Sequence, residues 1–189
     1  WSFCDVCGDI GGERIVEDLE RMPGAQWFPD ARLNFAENLL RRRDDRPAIV
    51  FRAEDQVKRQ LTYAQLYAQV AAIAAAFRRD GIGPGDRVCG YLPNMPETII
   101  ATLATAAVGA VWSSCSPDFG VRGVLDRFGQ IEPTVLFSAD GYFYSGQAHQ
   151  SIGRLVDIQA GLPTLRRVVV VPLLESVPEV SSMDSALLW

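Results

Sequence analysis

Two cysteines three positions apart, Cys4 and Cys7, are the first side chains in this chain whose types and spacing could do chemistry. A Cys-x-x-Cys is half of a tetrahedral zinc site or a thiol–disulfide pair, and neither is completed here. Zinc needs four ligands, whereas Cys89 and Cys115 stand singly and His149 is the only histidine. A redox pair belongs where a strand meets a helix, and these two lie in an aperiodic, glycine-containing lead. Unpaired thiols are the expectation. A second candidate is Ser113-Ser114-Cys115-Ser116, hydroxyls at the end of a strand-like run. A phosphate-cradling loop would need glycines, so that backbone N–H groups can close around the anion, and a lysine; both are missing, so the run reads as a strand end. Serine hydrolysis with His149 as base lacks a Gly-x-Ser-x-Gly elbow. Gly81-Ile82-Gly83-Pro84-Gly85 matches part of a dinucleotide fingerprint but follows a helical pattern and precedes a strand, the reverse of the required order. Lys58 is the only lysine, which leaves few candidates for a catalytic one. No catalytic residue and no metal ligand is assigned.

The elements that must position these residues alternate. After the irregular lead, a helix is expected over Ala31 to Leu40, a short buried strand over Pro47 to Phe51, and a second strand over Val57 to Leu61. Thr62 and Gln65 form a capping box, and Leu66, Val70, Ile73 and Phe77 recur on one face of the helix it opens. Val88 to Leu92 is a strand. Asn94 with Glu97 reads as a second capping box, with Pro96 tolerated in the first turn of a small-residue helix reaching Gly109. Ala110 to Cys115 is the next strand, and Val121, Val124, Leu125 and Phe128 hold helical spacing. Thr134 to Ser138 is a strand, Asp140-Gly141 a turn, Ile152 to Leu162 a helix, and Val168 to Val171 a β-branched strand stopped by Pro172. Beyond Leu174 the polar run reads as a connector. Strands separated by helices imply right-handed crossovers, and so the fold class is α/β: a mostly parallel sheet with helices on both faces.

Composition limits the partners. With 189 residues and 48% hydrophobic content the chain can bury one ordinary core. A net charge of −5 argues against nucleic acid, whose binders concentrate positive charge. Arg41-Arg42-Arg43 with Arg46 is interrupted by Asp44 and Asp45 and reads as a solvated helix end. The longest nearly apolar run, Thr98 to Trp112, is shorter than the roughly 20 residues that span a bilayer, so no membrane is expected. No secretory signal is apparent, and the expected compartment is the cytoplasm.

Two long irregular strings are more specific than any of these motifs. Trp27-Phe28-Pro29-Asp30-Ala31-Arg32-Leu33-Asn34-Phe35-Ala36-Glu37-Asn38-Leu39-Leu40, and Trp112-Ser113-Ser114-Cys115-Ser116-Pro117-Asp118-Phe119-Gly120 continuing to Phe128, resemble the adenylate-forming acyl-CoA ligases, in the branch that activates acetoacetate. The likeness runs from about Met22 to Pro172. It implies an N-terminal extension over residues 1–45 and the first β/α units of the large AMP-binding domain over 46–189. It further implies that the whole protein uses ATP, magnesium and coenzyme A to convert acetoacetate into its thioester through an acyl-adenylate. The family's Ser/Thr/Gly-rich loop ending in lysine, its acidic ribose partner and its C-terminal lysine are not among these 189 residues, so this chain alone is expected to be inactive. What the resemblance does transfer is a coenzyme A surface, on Ser116, Pro117, Asp118 and Phe119 after one strand and on Tyr144 and Gln147 after another. Related ligases carry arginine or lysine near Gln147, and this chain does not. Alternatives are a ligase for another short carboxylate, acetate or propionate, and a truncated, non-catalytic product that binds coenzyme A or pairs with other chains.

Overall fold

The computed structural model describes residues 1–189. Its first third is tied together by short ladders and by asparagines. Strands β1 (Gly8–Asp9), β2 (Val16–Glu17), β3 (Gln26–Trp27) and β4 (Arg32–Leu33) form two antiparallel pairs, β1 with β4 and β2 with β3. The helix expected from Ala31 is shorter: α1 spans Phe35–Leu39. Arg32 and Leu33 are already paired with Asp9 and Gly8, and Asn34 holds an extended backbone while its side chain accepts the Glu37 N–H at 3.2 Å, so the helix begins after it. The Asn34 amide also donates to the Ala106 carbonyl at 2.9 Å, and Asn38 exchanges two 2.8 Å bonds with the backbone of Cys7. These contacts tie the N-terminal segment to α1, and α1 to the helix that ends at Ala107.

Strands β5 (Pro47–Ala53) and β6 (Val57–Thr62) form an antiparallel hairpin outside the main sheet. The strand expected to be buried is therefore half-exposed: it has one partner, Phe51 is its one fully buried side chain, and Val50 is 66% exposed. Helix α2 (Tyr63–Arg79) opens on the expected box, with the Thr62 N–H donating to Gln65 Oε1 at 2.9 Å and the Gln65 N–H to Thr62 Oγ1 at 3.2 Å. Leu66, Val70 and Phe77 are buried, and Ile73 is half-buried. Strand β7 (Arg87–Tyr91) follows, then α3 (Pro96–Ala107). The second expected box is not formed. Met95 is the N-cap, with no side-chain bond, and the Glu97 carboxylate accepts both terminal nitrogens of Arg59 on β6, at 2.6 and 2.8 Å. A charged bidentate partner outcompetes a single orphan N–H.

The rest of the chain completes the sheet: β8 (Val111–Cys115), α4 (Val121–Phe128), β9 (Val135–Ala139), β10 (Gly141–Tyr144), β11 (Gln147–Gln150), α5 (Ile152–Ala160), β12 (Arg167–Val171) and β13 (Ala186–Leu188). Five strands are parallel in the order β13-β12-β9-β7-β8. Alternation along each strand sorts side chains between two cores. Val88, Val135, Phe137 and Val171 meet α2 and α3, while Cys89, Tyr91, Leu136, Val168 and Val170 meet α4 and α5. Gly90 is required by one close approach, since a Cβ there would lie 2.6 Å from the Trp112 ring. Two expectations are corrected here. Asp140-Gly141 is not a turn: the Asp140 carboxylate accepts the N–H groups of Leu173, Leu174 and Glu175, and β10 starts at Gly141. The turn lies at Ser145-Gly146, both with positive φ (51° and 74°), which is what a two-residue hairpin demands. The run beyond Leu174 is also more than a connector, because β13 pairs in parallel with β12 and covers that edge of the sheet.

Candidate functional site

Crossovers from β7 to β8 and from β8 to β9 step in opposite directions across β7, so right-handedness sends α3 and α4 to opposite faces. The loops leaving β7 and β8 therefore diverge, and a crevice opens between them at the carboxyl ends of the strands. A cleft of about 700 Å³ lies there. Pro93, Asn94 and Thr98 line one wall, Ser114, Cys115, Ser116, Pro117 and Asp118 the second, and Tyr142 with Tyr144 the third.

Each wall has a local cause. After β7, Thr98 Oγ1 donates to the Pro93 carbonyl at 2.6 Å and closes the turn into α3. After β8, the chain bends at Pro117, and the Phe119 N–H returns to the Ser116 carbonyl at 3.3 Å. The Tyr91 hydroxyl lies 2.8 Å from the Pro117 carbonyl and 2.7 Å from that of Phe119, and Arg154 Nη1 donates to the same two oxygens at 3.2 and 3.4 Å. Burial pushes the Tyr91 phenol up, with the nearby Arg154 charge opposing, so it remains a donor. The third wall is the β10–β11 hairpin. A Cβ at Gly141 would lie 2.3 Å from the His149 carbonyl, so only glycine lets the two strands meet there. Tyr142 stacks on His149, 5.1 Å between centroids at 16°, and the Gly146 N–H at the tip donates to Glu54 at 2.8 Å.

Four of the six expected contact residues, Ser116, Pro117, Asp118 and Tyr144, thus line one cleft. Phe119 and Gln147 do not. The Phe119 ring packs toward the α4–α5 core with the Arg127 guanidinium 4.2 Å above it, and Gln147, paired with Tyr144 across the hairpin, stays exposed outside the lining. Reading along the sequence missed Pro93, Asn94, Thr98, Ser114 and Tyr142. The signal for the first three was their place after the strand that neighbours β8 at the reversal; for Tyr142 it was its two-residue spacing from Tyr144. His149, the one histidine, is half-buried and stacked on Tyr142.

The lining suits part of a nucleotide. Aromatic faces and hydroxyls fit a base and ribose. No lysine or arginine lines the cleft, and Asp118 adds a carboxylate. No group of three or more histidine, cysteine, aspartate or glutamate side chains is gathered as a metal site. No helix is long and apolar enough to cross a membrane.

The cysteines are free, Cys4 exposed and Cys89 and Cys115 buried. Burial raises the Cys115 thiol from the ordinary 9.0 to about 11. For an acid raised on folding, the stabilisation is complete below pH 9 and is lost as pH climbs through 11. Stability is expected to fall over that window by on the order of 1–3 kcal/mol from this group, and Cys115→Ala should flatten the fall in alkaline denaturation. A slope unchanged by the substitution would contradict the assignment.

The AMP-binding enzyme family profile matches residues 35–186. Acetoacetyl-coenzyme A synthetase of Rhizobium meliloti (strain 1021) is 52% identical over 167 residues, covering 87% of this chain and 26% of that protein. Acetoacetyl-CoA synthetase of Rattus norvegicus is 48% identical over 175 residues, covering 91% of this chain and 26% of its own length. The solved acetoacetyl-CoA synthetase from Streptomyces lividans superposes with a TM-score of 0.90 at 47% identity, covering all of this chain and 29% of that one. The chain thus spans about a quarter of the length of the curated relatives it matches. A profile that runs through four of the five strands of the parallel sheet and reaches the start of the fifth, and a superposition that covers the full chain, place it: the chain belongs to the AMP-binding enzyme family.

Proposed function

We propose that this chain is the N-terminal part of an ATP-dependent, AMP-forming acetoacetate–CoA ligase. The observation that carries the reading is the superposition along the full chain, at 47% identity, on an acetoacetyl-CoA synthetase. In the overall reaction the acetoacetate carboxylate attacks the α-phosphorus of ATP and pyrophosphate leaves. The coenzyme A thiol then attacks the acyl carbon of the adenylate and AMP leaves. Within this scheme the residues of this chain bind rather than react. The cleft between the β7 and β8 loops takes the nucleotide end of coenzyme A, with Tyr142 and Tyr144 offering faces to adenine and Asn94, Ser114 and Ser116 offering hydrogen bonds. The lining carries no lysine or arginine, so on this reading it meets the base and ribose and not the phosphates. ATP and its magnesium are held elsewhere, since no loop here combines the glycines and lysine of a phosphate cradle.

The test is made on the full-length protein. Acetoacetate-dependent exchange of labelled pyrophosphate into ATP, followed by thioester formation when coenzyme A is added, is the expected result. Faster exchange with acetate or propionate would overturn the substrate assignment. The 189-residue chain by itself should show no exchange above a no-enzyme control; exchange there would mean that the adenylating groups lie within these residues after all.

A further inference from the structure

We propose that Tyr91 and Arg154 are positioning residues that set the width of the β7–β8 cleft for its nucleotide ligand, an inference that rests on the reading of that cleft as a coenzyme A surface. The segment Ser116–Gly120 has one backbone bond of its own, from the Phe119 N–H to the Ser116 carbonyl, and Pro117 has no N–H to give. Left to itself, so short a loop would be loose. Its Pro117 and Phe119 carbonyls instead turn inward toward Tyr91, a residue with no exposed surface, while Ser116 and Asp118 stand exposed along the cleft.

Proton counting shows why two donors are needed. A phenol has a single O–H, so Tyr91 can serve only one of the two carbonyls at a time, although both lie within 2.8 Å. The other must draw on Arg154 Nη1, which carries two hydrogens and lies 3.2 and 3.4 Å from them. The same guanidinium donates through Nη2 to the carbonyl of Gln150, the last residue of β11, at 3.2 Å. Arg154 therefore joins the post-β8 loop to the base of the tyrosine hairpin, two walls that face each other across the space where a base would sit. Tyr91 fixes one wall, and Arg154 fixes the distance between the two.

The experiment uses Tyr91→Phe, Arg154→Met and the double variant in the full-length protein. Three quantities are read: the KM for coenzyme A, the calorimetric affinity for adenosine 3′,5′-bisphosphate, and acetoacetate-dependent pyrophosphate exchange, which needs no coenzyme A. Each single change should weaken the first two by about 3–10-fold, the range of one or two lost hydrogen bonds. The double variant should weaken them by more than the product of the singles, because either donor alone can still cover part of what the other leaves. Exchange should fall by less than the affinity does. Affinity and exchange falling in step would reduce both residues to general support of the fold, and affinities that do not move would remove the proposal. Should Tyr91→Phe prevent folding, Arg154→Met, at a half-buried position in the first turn of α5, still reads the bracket. If the wild-type protein gives no acetoacetate-dependent exchange, the ligase reading fails, while the bisphosphate titration of the variants still decides the positioning role.

Discussion

Replacing Asp140 by alanine is expected to destabilise the fold by about 3–5 kcal/mol, the largest effect of any single polar change in the sheet. Its carboxylate is fully buried and accepts four contacts of 2.8 to 3.1 Å from the consecutive N–H groups of Leu173, Leu174 and Glu175. Three backbone donors in a row form an anion nest, and here the anion is supplied from within the chain. Alanine leaves all three donors without their partner; those of the half-buried Leu173 and Leu174 cost about 1–3 kcal/mol each, while water can take the place of the carboxylate at the exposed Glu175. Asparagine keeps one oxygen and should cost about half as much. Asp140 also lies between β9 and the tyrosine hairpin, so the alanine variant should loosen one wall of the cleft as well as the sheet. Urea denaturation of the two variants beside the wild type checks this; equal losses for alanine and asparagine would show that the nest is solvated.

The second large effect concerns Arg59 and Glu97. Arg59→Met is expected to cost about 3–5 kcal/mol, because it strands a carboxylate that is only 6% exposed. The pair is bidentate, and the guanidinium also lies 5.2 Å from the Phe51 ring, but Arg59 Nε is buried without a partner. Burying the charges has therefore been offset incompletely, and the pair adds little over an apolar contact of the same shape. Arg59→Met combined with Glu97→Met should recover most of the single loss. Two single losses that simply add in the double variant would show that the charges do not interact. Since Glu97 sits in the first turn of α3, beside the Pro93–Thr98 wall, Arg59→Met should also raise the KM for coenzyme A.

The alternation of strand and helix was legible because it rests on local patterns. The Thr62–Gln65 box, the Val121 to Phe128 face and the β-branched run at Val168 each declare themselves within a few residues. What stayed hidden depended on partners distant in the chain. Glu97 has the spacing of a capping residue, and only the fold brings Arg59 from 38 positions upstream to claim it. Asp140-Gly141 has the composition of a turn, and the N–H groups that engage its carboxylate instead come from residues 173–175. Arg32 and Leu33 fit a helical pattern, but Gly8 and Asp9 draw them into a ladder. The site followed the same rule. Ser116, Pro117 and Asp118 stood in a long irregular string and Tyr144 came with the family resemblance, whereas Pro93, Asn94 and Thr98 became candidates only once the strand order placed the end of β7 beside that of β8.

The central claim, that the nucleotide end of coenzyme A rests in the cleft between the β7 and β8 loops, is tested most directly by hydrogen–deuterium exchange of the full-length protein with and without adenosine 3′,5′-bisphosphate. Slowed exchange in residues 114–120 and 142–147, with the β5–β6 hairpin and the β1–β4 ladder unchanged, is the predicted result. Protection confined to other segments, with both of these walls exchanging as in the free protein, would contradict it.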